Sequence, residues 1–325
     1  MSLLPKQIAV SEISLDASSF GGLRHDHRAG PDRFYNMKNM SSDAFPLLAP
    51  RKKRRTIETL ANNANGICAV GALCRVDGAS FQYGTDPAVA VADSAKQFAV
   101  MGAKIIIWPD KKVYDTVAKT LTPLGASVTT AGTVTITQCE VDGAALGATP
   151  TVSATKPESA TNGAYWIDTS GTPHVLKKYS TNTGRWAAIE TTYLKIAATG
   201  IGTSFAQGDG VEISGCSDTS LNASYILQAV AANYIVVIGV IDAAITQSAA
   251  VTVTRSIPDL DYICALNNRI WGCSNATHEI RCCKLGDPTN WNCYAGISTD
   301  SYALTIGSAG DFTGCCAYGG NVVFF

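Results

Sequence analysis

At 325 residues the chain is long enough for two or three domains, each with its own core. A net charge of −1 with 16 % charged residues argues against wholesale electrostatic capture of nucleic acid. The Ala/Thr/Ser/Gly-rich composition is closer to a structural β protein than to a soluble metabolic enzyme.

Residues 1–33 read as an arm. Ile8-Ala9-Val10 and Glu12-Ile13-Ser14-Leu15 each have short-strand character, while 20–28 carries too many glycines and charges to be regular. The start, Met1-Ser2-Leu3-Leu4-Pro5-Lys6, lacks a basic stretch followed by a sustained apolar one, so folding in a cytoplasm is expected. From 34 to 120 short strands follow one another: 66–70, 73–76, 80–83, 97–101, 104–108 and 113–114. Asp77-Gly78, Asp86-Pro87, Gly102 and Pro109-Asp110 make the turns between them. That spacing predicts antiparallel meanders of a propeller or sandwich.

Between 121 and 255 the text turns rich in Thr, Ala, Ser and Gly and predicts an inserted β-sandwich-like domain. Within it, 165–169, 175–179 and 184–189 form an aromatic-marked three-strand meander. Further strands are expected at 192–198, 210–214, 225–230, 234–240 and 250–254. The longest apolar run, 234–241, is far shorter than the roughly 20 residues of a membrane helix, and membrane insertion is not expected. The last segment, 256–325, returns to meanders. Its first strand, 261–266, turns at Asn267-Asn268, two residues that tolerate positive φ, into 269–273. A third strand, 279–284, closes on Gly286-Asp287-Pro288, and 302–307 and 315–318 begin another sheet. Asn321 to Phe325 is an apolar strand with no polar closure. From it the chain is expected to be part of a longer protein whose further strands complete the architecture.

Two of these stretches carry a resemblance. The run Asn268-Arg269-Ile270-Trp271 ahead of Leu285-Gly286-Asp287-Pro288 and Trp291 resembles the repeating blade text of bacteriophage virion proteins. The stretch 34–55, with Asn39-Met40, Asp43, Pro46 and Pro50-Arg51, resembles the opening of the same proteins. The pattern around Trp166, Asp168, Tyr179 and Trp186 is similar to modules of phage tail fibres. The resemblance implies a tail-associated or head-to-tail structural component, distantly like the β-propeller nozzle and stabilisation proteins of short-tailed phages. It implies copies of the chain in a symmetric ring, neighbouring virion proteins as partners, and assembly in the host cytoplasm followed by residence in the virion.

Candidate sites are few. The basic run Arg51, Lys52, Lys53, Arg54 and Arg55 could touch a phosphate backbone, but without interleaved aromatics it reads first as a solvated loop or guarded edge. Tyr165, Trp166, Tyr179 and Trp186 could stack on sugar rings or a partner, although in a small β module aromatics more often form the core. His25, Asp26 and His27 with Asp32 have metal-binding side chains, yet nothing else completes a set. The eleven cysteines include no C-x-x-C and read as small buried hydrophobes. A glycosidase would need two facing carboxylates, and Asp168, Glu190, Asp209, Glu212 and Asp218 all lie beside turns where capping explains them. No motif asks for a cofactor or a nucleophile.

The expectation is an all-β chain. An incomplete β-propeller-like domain (34–120 and 256–325) is interrupted by a β-sandwich-like insertion (121–255). A non-enzymatic role in a phage particle comes first and a carbohydrate- or receptor-binding module second.

Overall fold

The computed structural model describes residues 20–26, 30, 32–41, 43–45 and 47–325. The strands expected at 8–10 and 12–15 lie outside the described residues. The chain divides into two compact units, Met1–Thr59 and Leu60–Phe325. In the first, Met40–Ser41 pairs antiparallel with Ala49–Pro50, and Leu23 bridges Phe34. The second is all-β, and Thr219–Leu221 is the one helical turn among the described residues.

The second unit opens with two four-stranded antiparallel meanders. The first consists of Ala64–Val70, Ala72–Asp77, Ser80–Tyr83 and Val89–Ala90, paired in chain order. The second consists of Gln97–Met101, Lys104–Trp108, Lys112–Asp115 and Thr120–Pro123, paired likewise. Lys104–Trp108, of sequence KIIIW, explains how they stack. Successive strand side chains point to opposite faces, so an unbroken apolar run marks a strand covered on both sides. Ile105 and Ile107 meet Phe81, Val76, Cys74 and Tyr114 in the layer between the first and second meanders. Ile106 and Trp108 face the other way, toward Ile263, Ile270 and Trp291. Each such buried Ile contributes about 1.5–3 kcal/mol relative to exposure.

Those last residues belong to a third meander, Tyr262–Leu266, Arg269–Ser274, Glu279–Cys282 and Tyr302–Thr305. It packs on the second although the insertion separates them in sequence. A bracket of amides fixes the register: Gln97 Nε2 donates to Asp261 O at 2.6 Å, and Ile263 N donates to Gln97 Oε1 at 3.1 Å. A hairpin, Cys315–Tyr318 with Asn321–Phe324, follows as a two-stranded sheet against the first strand of the third meander. Here Asn275 Nδ2 donates to Phe312 O and Asn275 Oδ1 accepts from Phe312 N.

The run around Arg269 has a structural meaning in this third meander. Asn267 and Asn268 both take positive φ, 51° and 55°, which suits a two-residue hairpin turn to the strand twist. Arg269, 7 % exposed, donates to the carbonyls of Cys283, Ser298 and Asp300 and so holds the long connection ahead of the last strand. Asp287 accepts from Thr289 N and Oγ1, tightening the Gly286-Asp287-Pro288 turn. Trp291 is then fully buried against Trp108, ring centroids 6.5 Å apart.

The insertion is two sheets packed face to face. One orders Ala126–Thr129, Thr252–Arg255, Gly210–Ser214 and Ser224–Ile226; the other orders Ala229–Ala231, Tyr234–Ile238, Tyr193–Ala197, Val134–Cys139 and Ile245–Gln247. Val134, Ile136, Leu194, Ile196, Ile235 and Val237 meet Val211, Ile213, Val251 and Val253 across the gap. A smaller four-stranded sheet, 151–188, hangs from it. The expected three-strand meander gains Thr151–Ser153, paired parallel to Tyr165–Asp168. A parallel pair needs a crossover rather than a tight turn, and sequence alternation carries no sign of it.

The insertion is bolted to the third meander. At the insertion's own root Arg255 Nη1 pairs with the buried Asp209 at 2.5 Å and Nη2 donates to Leu124 O, which ties the two ends of the insertion together. Asn290 spans the joint, donating to Gly208 O and accepting from Gly210 N. At Gly210 the approach is so close that a Cβ would stand 2.0 Å from Asn292 O, and only glycine fits.

Candidate functional site

The four candidate aromatics belong to the small sheet and divide between its faces. Tyr165 points inward with Ile167 and Leu176 onto Leu146, Ile189 and Val240. Its hydroxyl donates to Glu140 Oε1 at 3.1 Å, and the Lys178 ammonium stands 5.0 Å from its ring. Register places Trp166 opposite Lys177 and Tyr179 opposite Trp186, all on the outward face. Trp186 meets Trp166 edge-on at 5.6 Å and Tyr179 at 5.3 Å.

Trp166 is only 4 % exposed, and its indole N–H donates to Ser153 O. Lys177 covers it, with Nζ 4.7 Å from the ring centroid. The same ammonium pairs with Asp168 at 2.7 Å. That hydrogen bond, joined by those from Ser170, pulls the Asp168 carboxyl down to about 2. Outward, the sheet therefore offers half-buried rims of Tyr179 and Trp186 rather than an open stacking platform. One polar group in this cluster is unspent: the Trp186 indole N–H is buried and has no hydrogen-bond partner. His174 ties the small sheet back to the two-sheet insertion through Asp242 at 2.7 Å, beside an open cleft of about 260 Å³ lined by Gln138, Leu146 and Ile167.

The basic run lies in the first unit. Arg51 to Arg55 are exposed and form irregular chain rather than an edge strand; the Arg51 amide donates to Asn39 O. Of the metal-type residues, His27 lies outside the described residues. Asp26 pairs with Arg24 at 2.7 Å, and the His25 ring meets Tyr35 at 5.4 Å. The candidate carboxylates do separate work. Asp168 holds Lys177, Asp209 holds Arg255, and Asp218 accepts from Ser220 N at the start of the helical turn.

The structure brings several of the eleven free cysteines together. Cys68 and Cys74 stand directly opposite in the first hairpin, with their thiols close together. Cys264 and Cys273 share the face of the third meander turned away from Trp108, and Cys315 of the terminal hairpin comes within hydrogen-bonding reach of both. The register of the hairpin puts Cys264 and Cys273 on one face. What brought Cys315 over them was sheet stacking.

No protein-family model matches the chain, and the search of curated proteins finds no match. Among the described residues no helix is long and apolar enough to cross a membrane.

Proposed function

We propose that the chain is a structural component of a bacteriophage particle, in the tail or head-to-tail region, acting by assembly with copies of itself and with neighbouring virion proteins. In this reading the three meanders and the terminal hairpin are successive blades of an incomplete β-propeller, and the two-sheet insertion is a sandwich-like domain projecting from it. The observation that carries the reading is the order of stacking. The first strands of successive meanders, Ala64–Val70, Gln97–Met101 and Tyr262–Leu266, and then Cys315–Tyr318, are neighbours in turn, as the innermost strands of propeller blades are. The bridging of second to third meander across the insertion fits a ring that grows blade by blade. The buried Arg269 and Trp291 and the turn-forming Asp287 account for the run around Arg269 by packing and turn geometry. The experiment is purification of intact particles from a lysate expressing the chain, with mass spectrometry and a reconstruction. Stoichiometric presence with propeller-shaped density at the tail or neck is expected. A chain left in the soluble lysate while particles assemble normally would remove the proposal.

A second reading, glycan or receptor binding by the small sheet, is favoured by the unpartnered Trp186 N–H beside the rim of Tyr179. It predicts that Trp186→Ala abolishes binding to host-cell polysaccharide while the sheet stays folded.

A further inference from the structure

The layer between the third meander and the terminal hairpin holds three thiols, beside Tyr262 and Trp271 on the same sheet face. Cys264, Cys273 and Cys315 stand there, whereas the opposite face of the same meander buries Ile263 and Ile270 against tryptophans. Cys264 and Cys315 are half-buried and within reach of a small solute; Cys273 is fully buried. The Cys315 and Cys264 thiols lie within reach of one another, and their contact holds the Cys264 thiol below its ordinary value and raises that of Cys315. Burial instead pushes Cys273 up to about 11. Of the three, Cys264 is therefore the nucleophile, because the thiolate is the reactive form.

We propose that Cys264 and Cys315 are a disulfide-forming pair, a covalent staple between the third meander and the terminal hairpin that closes when the chain meets a small disulfide such as oxidised glutathione. Cys264 thiolate attacks one sulfur of the small disulfide. The S–S bond breaks, a mixed disulfide forms and the first glutathione leaves as thiolate. Cys315 gives up its proton to that thiolate or to solvent and attacks the Cys264 sulfur, expelling the second glutathione. Two protein thiols are oxidised and one small disulfide is reduced to two thiols. Cys68 and Cys74 also touch, but the Cys74 sulfur is fully buried and closed to an oxidant unless the sheet opens. The staple joins segments far apart in sequence, which constrains the unfolded chain and stabilises the fold. That it closes when particles leave a reducing cytoplasm rests on the function proposed above; the chemistry does not.

The test is full-length chain incubated with oxidised glutathione, then digested without reductant and mapped by mass spectrometry. A Cys264–Cys315 cross-linked peptide is expected, with a higher melting temperature that reductant reverses. Cys264→Ala and Cys315→Ala should each lose the peptide and the melting shift, while Cys273→Ala should keep both. Glutathione adducts without the cross-link, or a Cys273–Cys315 bond in its place, would overturn the proposal, and the wild-type map decides even where a variant folds poorly. A chain that makes the bond but is missing from particles would count against the virion role alone.

Discussion

Two layers flank the third meander, and the backbone treats them alike. On one side the second meander packs with its first strand beside Tyr262–Leu266 and a glutamine amide, Gln97, bracketing the register. On the other the terminal hairpin packs beside the same strand with an asparagine amide, Asn275, in the same office. The side chains differ. Trp108, Trp291, Ile106, Ile263 and Ile270 fill the first layer and close it to solvent; the second holds three thiols, two of them half-buried, beside Tyr262 and Trp271. Stacking geometry thus sets where a layer lies, while side-chain volume sets how firmly it holds and what chemistry stays within reach of solvent. The half-buried thiol layer is expected to open more readily than the tryptophan layer, which is closed to solvent.

The sharpest way to break that contrast is Trp291→Ala. Removing a fully buried indole is expected to cost about 4 kcal/mol in equilibrium denaturation, and a cost below about 1 kcal/mol would erase the distinction. Next comes Asp110→Ala. Asp110 and Lys96 form an ion pair at 2.5 Å with side chains 2 % and 0 % exposed, at the joint between the first and second meanders. Losing the carboxylate leaves a buried ammonium uncompensated and should cost about 3 kcal/mol, while the double change Asp110→Asn with Lys96→Met should recover much of it. Gly210→Ala forces a Cβ against Asn292 O; about 2 kcal/mol and a loosened insertion, seen as faster hydrogen exchange at 208–214, are expected. Cys273→Ala, in the thiol layer, should cost only about 1 kcal/mol by the same denaturation assay. The smallest effect is local and pH-dependent. The Asp168 carboxyl is held low by Lys177, so its contribution is present above the ordinary value of 3.8 and is lost as pH falls toward about 2. The indole NMR signals of Trp166 and Trp186 should report loosening of the small sheet over that interval, and Asp168→Asn should remove the pH dependence.

Much of the fold was legible before any coordinates. The meander turns at Gly78, Gly102 and Asn267-Asn268 announced themselves because few residues accept positive φ. The run 105–108, IIIW, is apolar at every position, and a period of two then leaves neither face polar, which marks a strand buried on both faces. The aromatic cluster of the small sheet was legible in kind but not in use. Sequence placed Tyr165 and Trp166 side by side, and only the pleat showed that one enters the core while the other packs outward under Lys177. The basic run was visible as charge, and its irregular backbone was not.

The sequence by itself determined an all-β chain of short antiparallel strands and their turns. All of these follow from interactions between residues close in the chain. Tertiary structure alone decided that the second and third meanders meet across the insertion, that Thr151–Ser153 pairs parallel, that Gly210 touches Asn292, and that Cys315 lies over Cys264. Each of these joins residues far apart in sequence, and such contacts are selected by the fit of whole sheets, which no local period encodes.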